Sequence, residues 1–554
     1  MNKHTFPKLI LASSIALALA ACGGSDDDDT PIPAPAPAPA PVPTPPAMTA
    51  GDVFAITVSN KLVSFNRDAP GTIRTNVAVS GLQNAETLLG IDFRPADGLL
   101  YAVGSSGRIY TIDTATGVAS LKATLAADAA DTTLPFTALA GSDFGVDFNP
   151  VADRLRVVGN TGQSLRINVD SGATTTDGAI NGGAANSAVT ASAYTNSFAG
   201  TATTTLYALD TATDTLYVQN PPNNGTLSLP LALGVDAGAA NGMDIDARTN
   251  LAYAVLTVGG ARNLYTINLA ATSAPATSVG ALGLAEDIRG IALRPAAAPV
   301  AYALADDGRL LAFKPATPTT LDATLTVSGL NSGESLLGID FRPKDGLLYG
   351  ITSGARIVTI DTATGAATVK ATLAADAADT TAPYAALAGS AYAVDFNPVA
   401  DRLRVIGDSG QSLRINVDTG ATTTDGAINR SGFAPVVTAA AYSNSYAGTA
   451  ATTLYDIDTA SASLAMQNPP NDGTLAVVGP LGVGVAGDAG LDIAGGANGL
   501  VLAALRTSAG GPSSLYRIDL ATGAATPFNG TANPGASVIG NTAVGVKDIA
   551  ILIK

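Results

Sequence analysis

From about Gly51 onward the chain is written in short apolar runs cut by glycine-containing turns. GIDFRP (Gly90–Pro95) is followed by GLLYAVG (Gly98–Gly104), RIYTIDTATG (Arg108–Gly117) and SLKATLA (Ser120–Ala126). Tyr110 and Ile112 alternate with Thr111 and Asp113, the period of two that turns one face of a strand to a core and the other to water. ADG, SSG and ATG separate the runs and supply tight turns. Four strands in a row with short connections predict an antiparallel meander, the unit of a propeller blade.

The whole pattern occurs twice. LLGIDFRPADGLLY ends at Tyr101 and returns as LLGIDFRPKDGLLY ending at Tyr349, 248 positions on. The same offset relates Asp147 to Asp395, Tyr194 to Tyr442, Gln219 to Gln467 and Asp244 to Asp492. Two copies of one fold are therefore expected, at residues 51–298 and 299–554. In the first copy, candidate first strands of a blade fall at Gly90–Pro95, Gly145–Pro150, Thr190–Asn196, Gly242–Ala247 and Ile288–Pro295. Each copy opens on what reads as a second strand (DVFAITVSN or VAYALADDG) and stops after what reads as a first one (IRGIALRP or VKDIAILIK). The fold class predicted is all-β: two tandem β-propellers of five four-stranded blades, each ring closed by pairing its N- and C-terminal strands. Closure leaves few exposed sheet edges. A single ten-bladed ring is the alternative, disfavoured because propellers run from 4 to 8 blades.

The first fifty residues follow a different logic. Lys3 and Lys8 precede a short apolar core, Leu9–Ala21, too short to span a bilayer, so residues 1–21 read as an export signal. Leu19-Ala20-Ala21-Cys22 resembles the bacterial lipobox, which makes Cys22 the lipidated first residue of the mature protein. Residues 22–50 then form a tether: an aspartate-rich spacer and a run from Pro31 to Pro46 that largely alternates proline with other residues. In polyproline form, at about 3.1 Å per residue, that run reaches roughly 50 Å. Gly23, where lipoproteins retained in the inner membrane resemble one another in carrying aspartate, points to the outer membrane. The expected location is extracytoplasmic, held to the membrane through the N-terminal lipid.

Composition narrows the chemistry. Aromatics make up 5% and charged residues 13% against 47% hydrophobic residues, a profile that folds rather than stays disordered. The formal charge is −16, two units more negative once Lys3 and Lys8 leave with the signal. No basic stripe is present to displace the counterions of a phosphate backbone, which argues against a nucleic-acid partner. The single histidine, His4, lies in the signal and Cys22 is the single cysteine. The mature chain thus has neither a Ser-His-Asp nor a Cys-His site, no histidine-ligated metal and no internal disulfide.

LLGIDFRP, DFNPVADRLRVVGNTGQSLRINVDSG, AYTNS, LYALDTATDTLYVQNPPNNGTL and NGMDI together resemble the bacterial family known as domain of unknown function 4394, over nearly all of both copies. The resemblance implies a secreted or lipid-anchored all-β domain. It implies no activity and no functional residues.

Candidate residues come from the strands themselves. Arg154, Arg156 and Arg166, with Arg402, Arg404 and Arg414 in the second copy, are expected to pair with local carboxylates such as Asp147 or Asp153, or to form an anion site. Tyr194 and Tyr442 suit core packing or a sugar-stacking face. Asp92, Asp147 and Asp244 each follow a glycine by two positions, and Asp340, Asp395 and Asp492 are their copies. If that face lines the ring, three carboxylates converge on each axis, with Asp548 as an extra acid in the second copy. Such acids brace strand ends through backbone amides, bind Ca²⁺ or Mg²⁺ through oxygen, recruit Arg94 or Arg294, share a proton, or act as a catalytic pair. Two functions follow: a non-enzymatic binding or scaffold module meeting an envelope protein or a glycan, and a carboxylate-only hydrolase of the glycosidase type.

Overall fold

The computed structural model describes residues 49–553 apart from 239–240, 296–297, 529–536 and 542–543. Cys22 and the proline run lie outside the described residues. Residues 48–554 form one compact unit. Its described residues contain no α-helix and make ten sheets, eight of four strands and two of five. The protein is all-β and propeller-like.

Burial explains the order of strands in a sheet. Leu88–Phe93 (LLGIDF) is buried at all six positions, whereas Ala119–Thr124 at the other edge of the same sheet is largely exposed. The innermost strands of the first copy are Leu88–Phe93, Phe144–Asn149, Val189–Tyr194, Gly242–Ile245 and Ile288–Leu293. Their counterparts are Leu336–Phe341, Tyr392–Asn397, Val437–Tyr442, Gly490–Ala494 and Val546–Leu552. In each copy each of these strands packs against the next, and the last packs against the first. Ile288–Leu293 pairs antiparallel with Val53–Thr57, Ile291 opposite Ala55, and Val546–Leu552 pairs in the same way with Val300–Ala305, Ile549 opposite Ala303.

Inner strands approach closely, and glycine makes this possible. A Cβ on Gly145 would lie 2.5 Å from the Ser192 backbone nitrogen, and one on Gly242 would lie 2.5 Å from that of Ile291. Further out, apolar side chains fill the space between sheets. Tyr101 meets Phe148 edge to face at 5.2 Å, and Tyr349 meets Phe396 at 5.3 Å. Each such ring contributes roughly 1.5–3 kcal/mol by leaving water.

Three features depart from the sequence-based expectation. The two five-stranded sheets gain Ala126–Ala127 and Ala374–Ala375, which run parallel to Ala173–Thr176 and Ala421–Thr424. There the chain leaving one sheet covers the open edge of the next. Arg156 and Asp147 stand opposite in register, yet the buried Arg156 guanidinium bonds to Asp177, Ser164, Tyr194 and Asn223, and Arg166 also bonds to Asp177. Asp147 is unavailable because its carboxylate turns to the next inner strand. Asp153 is taken by Arg94, which grips it through Nε and Nη2 at 2.8 and 2.6 Å and also reaches Asp170. Arg342 repeats this staple with Asp401 and Asp418.

Gly145→Ala is expected to cost about 1–3 kcal/mol through overpacking. Gly280→Ala, whose Cβ would meet only Pro70 Cγ at 3.4 Å, should change stability by less than about 0.5 kcal/mol. Urea unfolding of both variants checks the contrast.

Candidate functional site

Two places bring functional groups together: the buried inner strands and a cleft where the two copies meet. The strand period of two turns each Gly-x-Asp pair to one face. One carboxylate oxygen each from Asp92, Asp147 and Asp244 lies within 4.8 Å of the others, and Asp340, Asp395 and Asp492 form a second buried trio. Every one of these acids also accepts an amide from the following inner strand. Asp92 takes the Phe148 N–H at 2.7 Å, Asp147 that of Tyr194 at 3.0 Å and Asp244 that of Leu293 at 2.6 Å. In the second copy Asp340 takes Phe396, Asp395 takes Tyr442 and Asp492 takes Ile551. Asp548 adds a fourth stitch, to Ile339 at 2.9 Å, where the first copy has Gly290.

Burial, reinforced by the neighbouring acids, holds Asp92, Asp147, Asp340 and Asp395 well above the ordinary carboxylate range. Burial raises Asp244 and Asp492 to about 7. Neither candidate arginine neutralises them. Arg94 is held by Asp97, Asp153 and Asp170, and Arg294 lies over the Phe54 ring at 5.1 Å. An all-oxygen trio is a donor set of the kind that Ca²⁺ or Mg²⁺ accepts, and shared protons relieve the same repulsion without an ion.

The cleft encloses about 760 Å³. Arg67, Tyr207, Asp246, Arg248, Leu251 and Tyr253 line it from the first copy. Asp340, Arg342, Tyr446 and Asp492 line it from the second, so two acids of the second trio reach its floor. Asp246 is saturated: it accepts Arg67 Nη1 at 2.5 Å and the amides of Arg248 and Thr249 at 3.0 Å. Arg67 lies over the Tyr253 ring at 5.0 Å. Arg248 is left with a 3.4 Å contact to Asp246 and a half-exposed side chain.

Equivalent loops of the two copies touch beside this cleft. The Arg248 carbonyl accepts the amide of Gly496, which stands 248 positions on. A Cβ at Gly496 would sit 2.4 Å from the Thr249 oxygen, so the arginine of the first copy has no room there. On one side of this contact Phe198 is buried in a second-copy cluster that includes Leu500, Leu502, Leu515 and Phe528. On the other side Tyr446, the counterpart of Phe198, faces Leu251 and Tyr253 across the open cleft. The contact thus has a closed apolar half and an open polar half.

Residues 61–292 and 309–540 each match the family described as Domain of unknown function (DUF4394). The chain belongs to the DUF4394 family. Among solved structures the "Structure of Dos1 propeller" is similar at 12% identity, with a TM-score of 0.25, over 68% of this chain and 95% of that one. No curated protein matches. The two DUF4394 copies differ where the cleft forms: Arg67 against Pro315, Asp246 against Ala494 and Arg248 against Gly496, with Gly499 inserted after Asn498. Sequence reasoning missed these residues, although that divergence was the available signal.

A second divergence lies inside a DUF4394 core. Ala208 and Tyr217 pair across two strands in the first copy, and Asp456 and Ala465 hold the same places in the second. Asp456 is fully buried, and neither carboxylate oxygen has a hydrogen-bond partner among the described residues. Burial raises its pKa to about 8. Because the folded protein keeps this proton and the unfolded chain loses it near pH 4, the stability Asp456 contributes is full below about pH 4 and is lost as pH rises towards 8. Asp456→Asn should flatten that part of the stability profile by more than about 1 kcal/mol between pH 5 and pH 8, read from urea midpoints.

Proposed function

We propose that this protein is a non-enzymatic binding module of the bacterial cell envelope, carried on a lipid anchor at Cys22 and a proline-rich tether. Each copy, within 51–298 and 299–554, is a closed five-bladed propeller. The cycle of inner-strand contacts and the terminal pairing of Ile288–Leu293 with Val53–Thr57 support that closure. The cleft between the copies is the ligand seat. The observation that carries this reading is the open polar half of the contact, where Tyr446, Tyr253, Asp246 and Arg248 stand in the places of Phe198, Leu502, Ala494 and Gly496. A volume of about 760 Å³ falls in the roughly 300–1,000 Å³ range of small-ligand sites.

A second reading, a carboxylate-only glycoside hydrolase acting on envelope or environmental glycans, draws on Asp340 and Asp492 reaching the floor of the same cleft with raised pKa values. Turnover of a glycan that Asp492→Asn abolishes, with binding retained, favours the enzyme over the binding module.

Full-length protein is expected to enrich an envelope ligand, and Tyr446→Ala with Arg248→Gln should lower capture at least tenfold. Equal capture by the double variant removes the cleft from consideration. Labelled palmitate should enter the wild type, and Cys22→Ala should move the protein from membranes to the soluble fraction. A variant that stays membrane-bound overturns the anchor.

A further inference from the structure

We propose that the cleft takes an acidic saccharide, its carboxylate held by Arg248 and its sugar rings laid against the tyrosines; this rests on the cleft being the ligand seat. The charge balance is decisive. In a chain of formal charge −16, the cleft nevertheless presents one under-used cation. Arg67 is neutralised by Asp52 and Asp246, and Arg342 by Asp345, Asp401 and Asp418. Arg248 is different: its 3.4 Å contact is to an Asp246 carboxylate already occupied by Arg67 and two amides. Its planar fork suits a carboxylate bidentately, and desolvation inside a cleft strengthens that pairing.

The rest of the wall selects a sugar. Tyr207 and Tyr446 line the cleft half-buried, and their hydroxyls have no hydrogen-bond partner among the described residues. A tyrosine with a free hydroxyl offers an apolar face and a polar tip together, the combination presented in reverse by a pyranose ring with its C–H face and hydroxyl rim. Asn268 is exposed at the same wall and keeps its side-chain amide N–H groups free, since only its Oδ1 is engaged, by the Ala270 amide.

The experiment is titration calorimetry of the full mature chain with an oligouronate, its neutral hexose counterpart, a simple monocarboxylate and an acidic peptide. The oligouronate should bind at least tenfold more tightly than the other three, and its affinity should fall as salt rises. Arg248→Gln should erase the preference for the uronate, and Tyr446→Ala should weaken both sugars at least tenfold. The Arg248 side chain supports no part of the fold beyond the cleft, and its backbone carbonyl still receives Gly496 in the variant, so loss of folding does not mimic the result. Equal affinity for acidic and neutral sugars, tighter binding of the peptide, or no uronate binding at all overturns the acidic-saccharide assignment and leaves the cleft to the capture experiment. Tight uronate binding that neither variant changes overturns both the assignment and the cleft.

Discussion

The fold depends on a carboxylate that reaches from one inner strand to an amide of the next. Six aspartates make this stitch in the same way, three per copy, and Asp548 makes a seventh. A stitch of this length requires inner strands closer than side chains normally allow, hence the glycine two residues before five of the six aspartates and the small Ala393 before Asp395. Burying the acids costs ionisation, which is why their pKa values climb. Protonated, they lose the repulsion that three charges within 4.8 Å would otherwise impose. Where the pattern lapses, at Val189–Tyr194, Ala193 stands opposite Tyr207 as Asp92 stands opposite Tyr101, and no carboxylate reaches out from that strand.

How much of this was legible in the sequence depends on whether the interaction is local. The meander follows from Tyr110 and Ile112 alternating with Thr111 and Asp113, since the period of two is a property of the strand alone. Gly90 and Asp92 share a face for the same reason, so the inner acids stood out before any coordinates. The partner of Arg156 did not. Asp147 is its neighbour in register, and only the competing pull of the Tyr194 amide, 47 residues from Asp147, sends the arginine to Asp177. The cleft was the least visible element. Neither copy's periodicity encodes how it meets the other, and the available trace was the exchange of Arg248 for Gly496 with an added Gly499.

That exchange also explains why the contact is lopsided. Equivalent loops can touch at one point only if at least one of them gives up its side chain. Gly496 does so, with the Thr249 oxygen 2.4 Å from where its Cβ would be, and Gly499, whose Cβ would lie 2.6 Å from Asn196 Cγ, does so again. The first copy, relieved of that requirement, keeps Arg248 and Leu251. Phe198 can then drive into the second copy and bury its ring fully, a contribution of roughly 1.5–3 kcal/mol. Tyr446 has no such path, because its counterpart wall carries Tyr253 beneath Arg67 and an Asp246 that must keep its ion pair. Closing that half would strip water from a charged network without supplying new partners, at a cost that an apolar contact does not offset. The open half is therefore the stable consequence of polar residues in places where the closed half has apolar ones. It also meets Asp340 and Asp492 of the second trio, whose carboxyls burial holds above the ordinary range, while Asp246 on the facing wall stays charged beside Arg67.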